Sequence, residues 1–410
     1  MILYIISKML SDILTKSIDK VTKKNEGIYF TPKDIVIQNM EILIPFLSTV
    51  KTVLEPSCGS GEYIEAVNTY CSNVHIIGIE TNTKIYETIT PHLQTLIKSE
   101  NELELFHVDY LKCDVSSFDL IIGNPPYFVI KKRDVSKDYY PYFDGRPNIF
   151  ILFIIKSLKL LNEDGILSFI LPNSFLNCLY YNKVRQYIVT HCTILSIVQC
   201  EGEFLDTRQE TVIFIIQKKM DTNGCNDKHF FVVNGYTIFG IEDNIKQIIS
   251  LYHHSTTLSI LNCVVNVGNV VWNQVKSLLT NDTTKTRLIY SSDISDGKFQ
   301  PKLYSNNEKK NYINKSGHRE PILLINRGYG MGNYKFEYCL LDEDIEYLVE
   351  NHLICIRPKN PLPRDDLIAL YNQIVQSLTN EKTEEFIQLY FGNNAINTTE
   401  LSEILPIYLN

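Results

Sequence analysis

Short apolar runs alternate regularly with helical stretches, and each run ends on a polar or acidic residue. Lys51-Thr52-Val53-Leu54-Glu55-Pro56 reads as a strand, followed by a glycine loop, Ser57-Cys58-Gly59-Ser60-Gly61, and a helix from Glu62. His75-Ile76-Ile77-Gly78-Ile79 closes on Glu80, Leu103 to Val108 closes on Asp109, and Phe118-Asp119-Leu120-Ile121-Ile122-Gly123 runs into Asn124-Pro125-Pro126-Tyr127. Strands separated by helices predict an α/β domain built on a doubly wound, mostly parallel sheet, with ligands bound at the carboxyl ends of its strands. Every polar feature just named falls at such an end.

Further along, a polar loop from Lys131 to Arg146 precedes an expected helix from Asn148 to Leu161. Asp164-Gly165 is an expected turn and Ile166–Leu171 a fifth strand. Strands at Ile194–Gln199 and Glu210–Gln217 follow, and Asn234-Gly235 predicts a hairpin with a type I′ turn. Upstream, Thr31 is expected to cap a helix over Ile35–Leu47 with Pro32 in its first turn. Ile241–Leu261 reads as a bridging helix, and Asp365–Leu378 and Glu381–Tyr390 as acidic helices. At 410 residues the chain is long enough for two domains, expected over residues 1–244 and 245–410.

Composition excludes some classes. The ten cysteines form no CxxC pair and no zinc-like cluster with histidine, so neither a metal site nor a disulfide framework is expected. Scattered thiols point to an intracellular, cytoplasmic setting. The apolar stretch Met1–Ile6 is too short for a membrane span and begins an amphipathic helix. A net charge of −8 does not announce nucleic-acid binding, but the distribution is uneven. From Trp272 to Lys335 there are eleven basic residues, Arg287, Lys309, Arg319 and Arg327 among them, against five acidic ones. This excess is a candidate phosphate-facing surface, with the Lys131-Lys132-Arg133 loop a second. Asn273, Gln274, Arg327 and Asn333 are of types that read base edges.

The site residues argue for a cationic nucleoside ligand. Gly59 and Gly61 let a ligand approach backbone at a helix N-terminus, but the third glycine of a dinucleotide fingerprint is missing. Glu80 is placed to accept from ribose hydroxyls, and Asp109 from an adenine amino group with Tyr110 beside the ring. Glu55 is a partner for a positively charged amino-acid end. Successive acids suit a sulfonium and disfavour a pyrophosphate. The two prolines of Asn124-Pro125-Pro126-Tyr127 stiffen the loop and leave carbonyls free to accept hydrogens from a planar substrate's nitrogen.

The tetrapeptide is similar to the signature of methyltransferases acting on exocyclic or amide nitrogens. From Gly27 to Gln217 the motif order resembles amino DNA methyltransferases of the gamma arrangement, N6-adenine type, found in type II restriction–modification systems. The resemblance implies S-adenosyl-L-methionine as cofactor, S-adenosyl-L-homocysteine as product, no metal, and double-stranded DNA as partner. Gly27-Ile28-Tyr29-Phe30-Thr31-Pro32 resembles the family's N-terminal cofactor motif, implying contacts from Tyr29 and Thr31. Leu54 to Gly61 resembles its glycine loop, implying contacts from Glu55, Ser57, Cys58, Gly59 and Gly61. Glu80, Asp109 and Tyr110 stand where adenosine is held, and Phe153 matches an aromatic packed on the cofactor's adenine. Asn124, Pro125, Pro126 and Tyr127 are the implied catalytic residues, Asn124 and Pro126 also touching cofactor. Phe204 matches an aromatic that stacks on the flipped-out base, although Thr207-Arg208-Gln209-Glu210 beside it is more polar than the family's pattern. The residues after 245 resemble an α+β target-recognition domain, notably Val270-Val271-Trp272-Asn273 and Glu403 to Tyr408. A monomer is expected, any cognate restriction endonuclease being a separate protein. An RNA-base or a protein-glutamine methyltransferase is the alternative. The short N-terminal extension and long C-terminal part favour DNA.

Overall fold

The structure, a computed structural model, describes residues 2–202, 204, 207, 209–219, 227–304, 308–327, 336–390 and 396–409. The chain divides into two compact units, Met1–Val232 with Thr237–Ile245, and Val233–Tyr236 with Lys246–Asn410.

In the first unit, helices α1 (Ile2–Ser17), α2 (Lys20–Glu26) and α3 (Lys33–Leu43) precede strand β1 (Thr52–Glu55). There follow α4 (Glu62–Tyr70), β2 (His75–Glu80), α5 (Thr83–Leu96), β3 (Glu102–His107) and β4 (Phe118–Gly123). The unit continues with α6 (Ile149–Leu160), β5 (Leu161–Pro172), α7 (Asn182–His191), β6 (Cys192–Gln199) and β7 (Thr211–Lys218). The seven strands form one sheet in the order β3-β2-β1-β4-β5-β7-β6. All neighbours are parallel except β7, which runs antiparallel to both β5 and β6. The doubly wound, mostly parallel sheet expected from the strand–helix alternation is the one that forms.

Side-chain alternation along each strand explains why the runs are apolar throughout. Leu54, Ile77 and Ile121 pack on one face with Phe150, Phe153 and Ile154 of α6 and Val184 of α7. Their neighbours Val53, Ile76 and Leu120 pack on the other with Ile35 and Met40 of α3, Ile64 of α4 and Ile89 of α5. Strand order reverses between β1 and β4, so the loops after Glu55 and Gly123 part at the one place where a crevice opens above the sheet.

Several boundaries differ from expectation for identifiable reasons. Pro32, not Thr31, occupies the cap of α3 and makes no side-chain cap bond; the Thr31 hydroxyl is engaged elsewhere. The helix expected to run to Leu47 tightens into a 3-10 turn over Ile44–Thr49, where Pro45 has no N–H to continue the α pattern. Asp164-Gly165 does not end a strand: Asp164 takes φ 59°, and β5 passes through it with a register shift against β4 between Phe118 and Leu120. The bridging helix is shorter, Glu242–Leu251, and His254 turns the chain at φ 58°. The hairpin Phe230–Val233/Tyr236–Phe239 has positive φ at both Asn234 and Gly235, as a type I′ turn requires.

The second unit is α+β. One sheet has the order Cys263–Val267, Leu353–Pro358, Ile322–Asn326, Tyr338–Leu341; another has Leu279–Thr280, Tyr312–Ile313, Thr286–Ile289, Tyr347–Val349. Helices Arg364–Leu378 and Glu381–Tyr390 follow. Among the described residues no helix is long and apolar enough to cross a membrane.

Candidate active site

A cavity of about 290 Å³ opens at the carboxyl ends of β1, β2, β3 and β4. Its wall includes Tyr29, Ser57, Gly59, Glu80, Asp109, Tyr110, Asn124, Pro126 and Phe153. Thr31, Glu55, Cys58, Pro125 and Tyr127 are not in the wall but adjoin it in the chain, and Gly61 lies two residues past Gly59. Three carboxylates line it, Glu26, Glu80 and Asp109, and no Lys, Arg or His does so among the described residues.

The glycine loop is shaped by backbone conformations that favour glycine. Gly59 and Gly61 take φ 49° and 88°, and the Cys58 amide donates to the Ile79 carbonyl at 2.8 Å. Glu80 braces the loop: Oε2 accepts from the Gly59 amide at 3.0 Å and Oε1 from the Asn82 amide at 2.7 Å. Burial pushes the Glu80 carboxyl above its ordinary range against these amides, which pull it down. Ser60 Oγ lies 2.6 Å from both oxygens of Glu62, whose burial raises its pKa to about 7. Burial, with the charges of Glu62 and Glu80, also pushes Glu55 well up, and its buried Oε2 has no hydrogen-bond partner. Such an atom is an acceptor waiting for a donor, and the neighbouring carboxylates favour a cationic one. Burial likewise raises the Cys58 thiol, which is packed in the core.

Beyond β3, Asp109 caps the 3-10 turn Tyr110–Lys112 through the Leu111 amide at 3.0 Å and pairs with Lys112 at 3.1 Å. Tyr110 and Phe153 pack tilted, centroids 4.9 Å apart, and the Tyr110 hydroxyl meets Ser157 Oγ at 2.9 Å. That pairing anchors the ring while leaving its edge in the cavity wall.

Asn124 is held from three directions. Its Nδ2 donates to the Tyr29 carbonyl at 3.3 Å and to Thr31 Oγ1 at 3.1 Å. Its main-chain carbonyl accepts from Ser57 Oγ at 3.2 Å. Its Oδ1 lies 2.6 Å from the Tyr127 hydroxyl, which is also 2.6 Å from the Ile170 carbonyl in β5. A hydroxyl has one proton, so it serves one of these two acceptors at a time. The Tyr127 ring packs edge-on against Phe150, centroids 5.9 Å apart. Gly27, at φ 67°, lets the loop close in: a Cβ there would stand 2.9 Å from the Tyr127 amide nitrogen and 3.0 Å from Pro126 Cβ.

Phe204 is not brought to the cavity. It is 8% exposed and belongs to the core cluster of Ile35, Met40 and Tyr63. Glu203, Leu205, Asp206 and Arg208 around it lie outside the described residues, as do Asn333 and Lys335. The reading of the chain also missed Glu26 and Asn82, which join two sides of the cavity through a 2.9 Å hydrogen bond. Asn82 was discoverable: it stands just before an apolar-periodic run and caps α5 through the Ile85 amide.

In the second unit the expected basic surface needs correction. Arg287 is 7% exposed, paired with buried Asp293 at 3.1 Å, and lies over the Phe299 and Tyr312 rings, so it is an interior residue. Lys309 lies over Trp272, Tyr290 and Tyr304, and Lys276 pairs with Glu308. Lys285, Lys298, Lys302, Lys315 and Arg319 remain exposed, as do Asn273 and Gln274.

The chain is similar to known proteins over part or nearly all of its length. The family model of the Eco57I restriction-modification methylase matches residues 34–204. The type II methyltransferase M.CvrRI of Paramecium bursaria Chlorella virus XZ-6E is 28% identical over 404 residues, 96% of this chain and 97% of that protein. The modification methylase CviBIII of Paramecium bursaria Chlorella virus NC1A is 24% identical over 401 residues, 96% of each chain. The type II methyltransferase M.VspI of Vibrio sp. (strain 343) is 30% identical over 185 residues, 43% of this chain and 44% of that one. The chain is thus similar to restriction–modification methyltransferases, in two cases along nearly its whole length.

Proposed function

We propose that this protein is a site-specific DNA methyltransferase that uses S-adenosyl-L-methionine to methylate the N6 amine of an adenine turned out of the duplex. The observation that carries the chemistry is the orientation of Asn124. Both amide hydrogens are committed to fixed acceptors, so the side chain's remaining polar atom is an acceptor, at the carboxyl end of β4 beside an acid-lined cavity. The substrate class is supported by similarity to the two chlorella-virus methyltransferases along their length.

The cavity fits the cofactor by chemistry. A wall of carboxylates without a basic residue among those described disfavours a polyphosphate, and the unpaired Glu55 Oε2 suits the positively charged amino-acid end. Glu80 would accept from the ribose hydroxyls, Asp109 from the adenine amine, and Tyr110 and Phe153, packed on each other, would lie on one side of the adenine. Tyr29, Ser57, Gly59 and Pro126 would complete the wall, with Cys58 and Gly61 shaping the loop behind it. When bound, S-adenosyl-L-methionine supplies an electrophilic methyl group.

Adenine N6 is a weak nucleophile because its lone pair is delocalised into the ring. Asn124 Oδ1 and the Pro125 carbonyl would accept its two hydrogens and draw the nitrogen toward tetrahedral geometry, freeing the lone pair. The same acceptors stabilise the positive charge that develops on nitrogen. This is catalysis by positioning and electrostatics. Eversion of the base costs a few kcal/mol, and a base–aromatic stack returns roughly 1–3 kcal/mol. Tyr127, next to the cavity wall in the chain, would supply such a ring; Phe204 would serve only after leaving its core contacts. The exposed lysines of the second unit and Lys131-Lys132-Arg133 would face the phosphates.

The test is incubation with methyl-labelled cofactor and separate pools of duplex DNA, RNA and protein, followed by nucleoside and amino-acid analysis. N6-methyladenine in DNA is the expected product. N4-methylcytosine would overturn the target base, and label confined to RNA or to protein glutamine would overturn the substrate class.

A further inference from the structure

We infer that Thr31 is a positioning residue for Asn124: its hydroxyl, together with the Tyr29 carbonyl, which can only accept, holds the Asn124 amide with Oδ1 toward the methyl-accepting nitrogen. The inference rests on the methyl-transfer reading above and departs from the expected role of Thr31 as a cofactor contact. Thr31 is 8% exposed and is absent from the cavity wall. Its one described side-chain partner is Asn124, at 3.1 Å, although 93 residues separate the two in sequence.

The two ends of an asparagine amide have nearly the same shape, and a half-turn about the last side-chain bond exchanges them. The chemistry does not tolerate the exchange. With Nδ2 turned toward a substrate amine, donor would face donor, and nothing would draw the amine's hydrogens away. One neighbour opposes that rotamer outright, and Thr31 steadies the nitrogen against it. The Tyr29 carbonyl can only accept, and at 3.3 Å it is a long, weak anchor by itself. The Tyr127 hydroxyl can donate to Oδ1 or, with its proton on the Ile170 carbonyl, accept from an amide nitrogen, so it does not choose between the two ends. Thr31 Oγ1 is the shorter of the two Nδ2 contacts and keeps the nitrogen beside the Tyr29 carbonyl, the partner that cannot donate. The following Pro32 disfavours helical backbone at Thr31 and is itself extended at ψ 139°, so α3 starts at Lys33. With Pro32 in the cap position, Thr31 stands one residue too early to cap the helix. Its hydroxyl is left for a partner across the sheet end.

The experiment compares wild type, Thr31→Val, Thr31→Ala, Thr31→Ser and Asn124→Ala for single-turnover methylation of duplex DNA and for S-adenosyl-L-homocysteine affinity by calorimetry. Thr31→Val and Thr31→Ala are expected to slow turnover about tenfold, the effect of one lost oriented hydrogen bond. Their affinity for S-adenosyl-L-homocysteine should stay within about twofold of wild type, the change in a hydrogen bond outside the cavity wall being small there. Thr31→Ser, which keeps the acceptor, should restore most of the rate. Wild-type turnover in both Val and Ala variants overturns the inference, and so does a loss of cofactor-product affinity that matches the loss of rate. If Asn124→Ala retains wild-type turnover, the reading of the site falls first and the role of Thr31 with it.

Discussion

Ser57 donates its hydroxyl hydrogen to the main-chain carbonyl of Asn124 at 3.2 Å, joining the glycine loop after β1 to the tetrapeptide after β4. The two loops flank the point where strand order reverses, so one hydrogen bond links the cavity's floor to the amide beside it. Ser57→Ala should lower S-adenosyl-L-homocysteine affinity and turnover together, each by about three- to tenfold, as expected for one partly buried hydrogen bond. Calorimetry and single-turnover rates measure both.

Asn124→Ala should behave differently from Ser57→Ala. It removes the acceptor itself, so turnover should fall by about 10²–10³, the range seen when one preorganised polar partner of a transition state is deleted. Affinity for S-adenosyl-L-homocysteine should change by no more than a few-fold. A parallel loss of both would assign Asn124 to binding alone.

Gly27→Ala tests the close approach of the tetrapeptide. The position has φ 67°, and the added Cβ would meet the Tyr127 amide nitrogen at 2.9 Å. Left-handed strain costs about 1–2 kcal/mol, and the loop must also move. Denaturant unfolding should show that loss, accompanied by weaker cofactor-product binding.

Glu62 links pH to stability. Unfolded, its carboxyl ionises near 4.5; folded, burial raises this to about 7 despite the Ser60 hydroxyl. Between those values the unfolded chain has released a proton that the folded chain keeps, so stability falls as pH rises through the window. Glu62→Gln should flatten this slope and raise stability at pH 8 by a few kcal/mol, an order-of-magnitude value from the width of the window. Urea midpoints at pH 5 to 8 for both proteins give the comparison.

Arg287 and Asp293 form a buried pair at 3.1 Å, and Asp293 also accepts from the amides of Tyr290 and Lys302. Arg287→Leu leaves that carboxylate in the interior without its cation and should cost about 3–5 kcal/mol. Thermal unfolding measures it. The salt dependence of DNA binding should not change, whereas Arg319→Gln should make it shallower.

Strands and their order along the chain were readable because a buried parallel sheet requires continuous apolar runs, and Val53-Leu54 or Ile121-Ile122 have no other economical fold. Helix ends were less readable: Pro45 and His254 shorten two helices by local backbone chemistry that apolar periodicity does not register. Residue type was a poor guide to exposure in the second unit. Arg287 reads as a surface cation, yet a carboxylate and two rings make its burial tolerable. Phe204 was assigned by its place in a motif, but its ring packs with Ile35, Met40 and Tyr63 in the core.

By itself the sequence determined the alternation of elements, the sheet they build, and which polar residues stand at strand ends, because period and turn chemistry are local properties of a chain. Tertiary structure alone decided the pairings: Thr31 with Asn124, Ser57 with the Asn124 carbonyl, Glu80 with the Gly59 amide. Those bonds join residues brought together only once β1, β2 and β4 lie side by side, and a side chain's partner is set by distance and direction in space, on which spacing along the chain is silent.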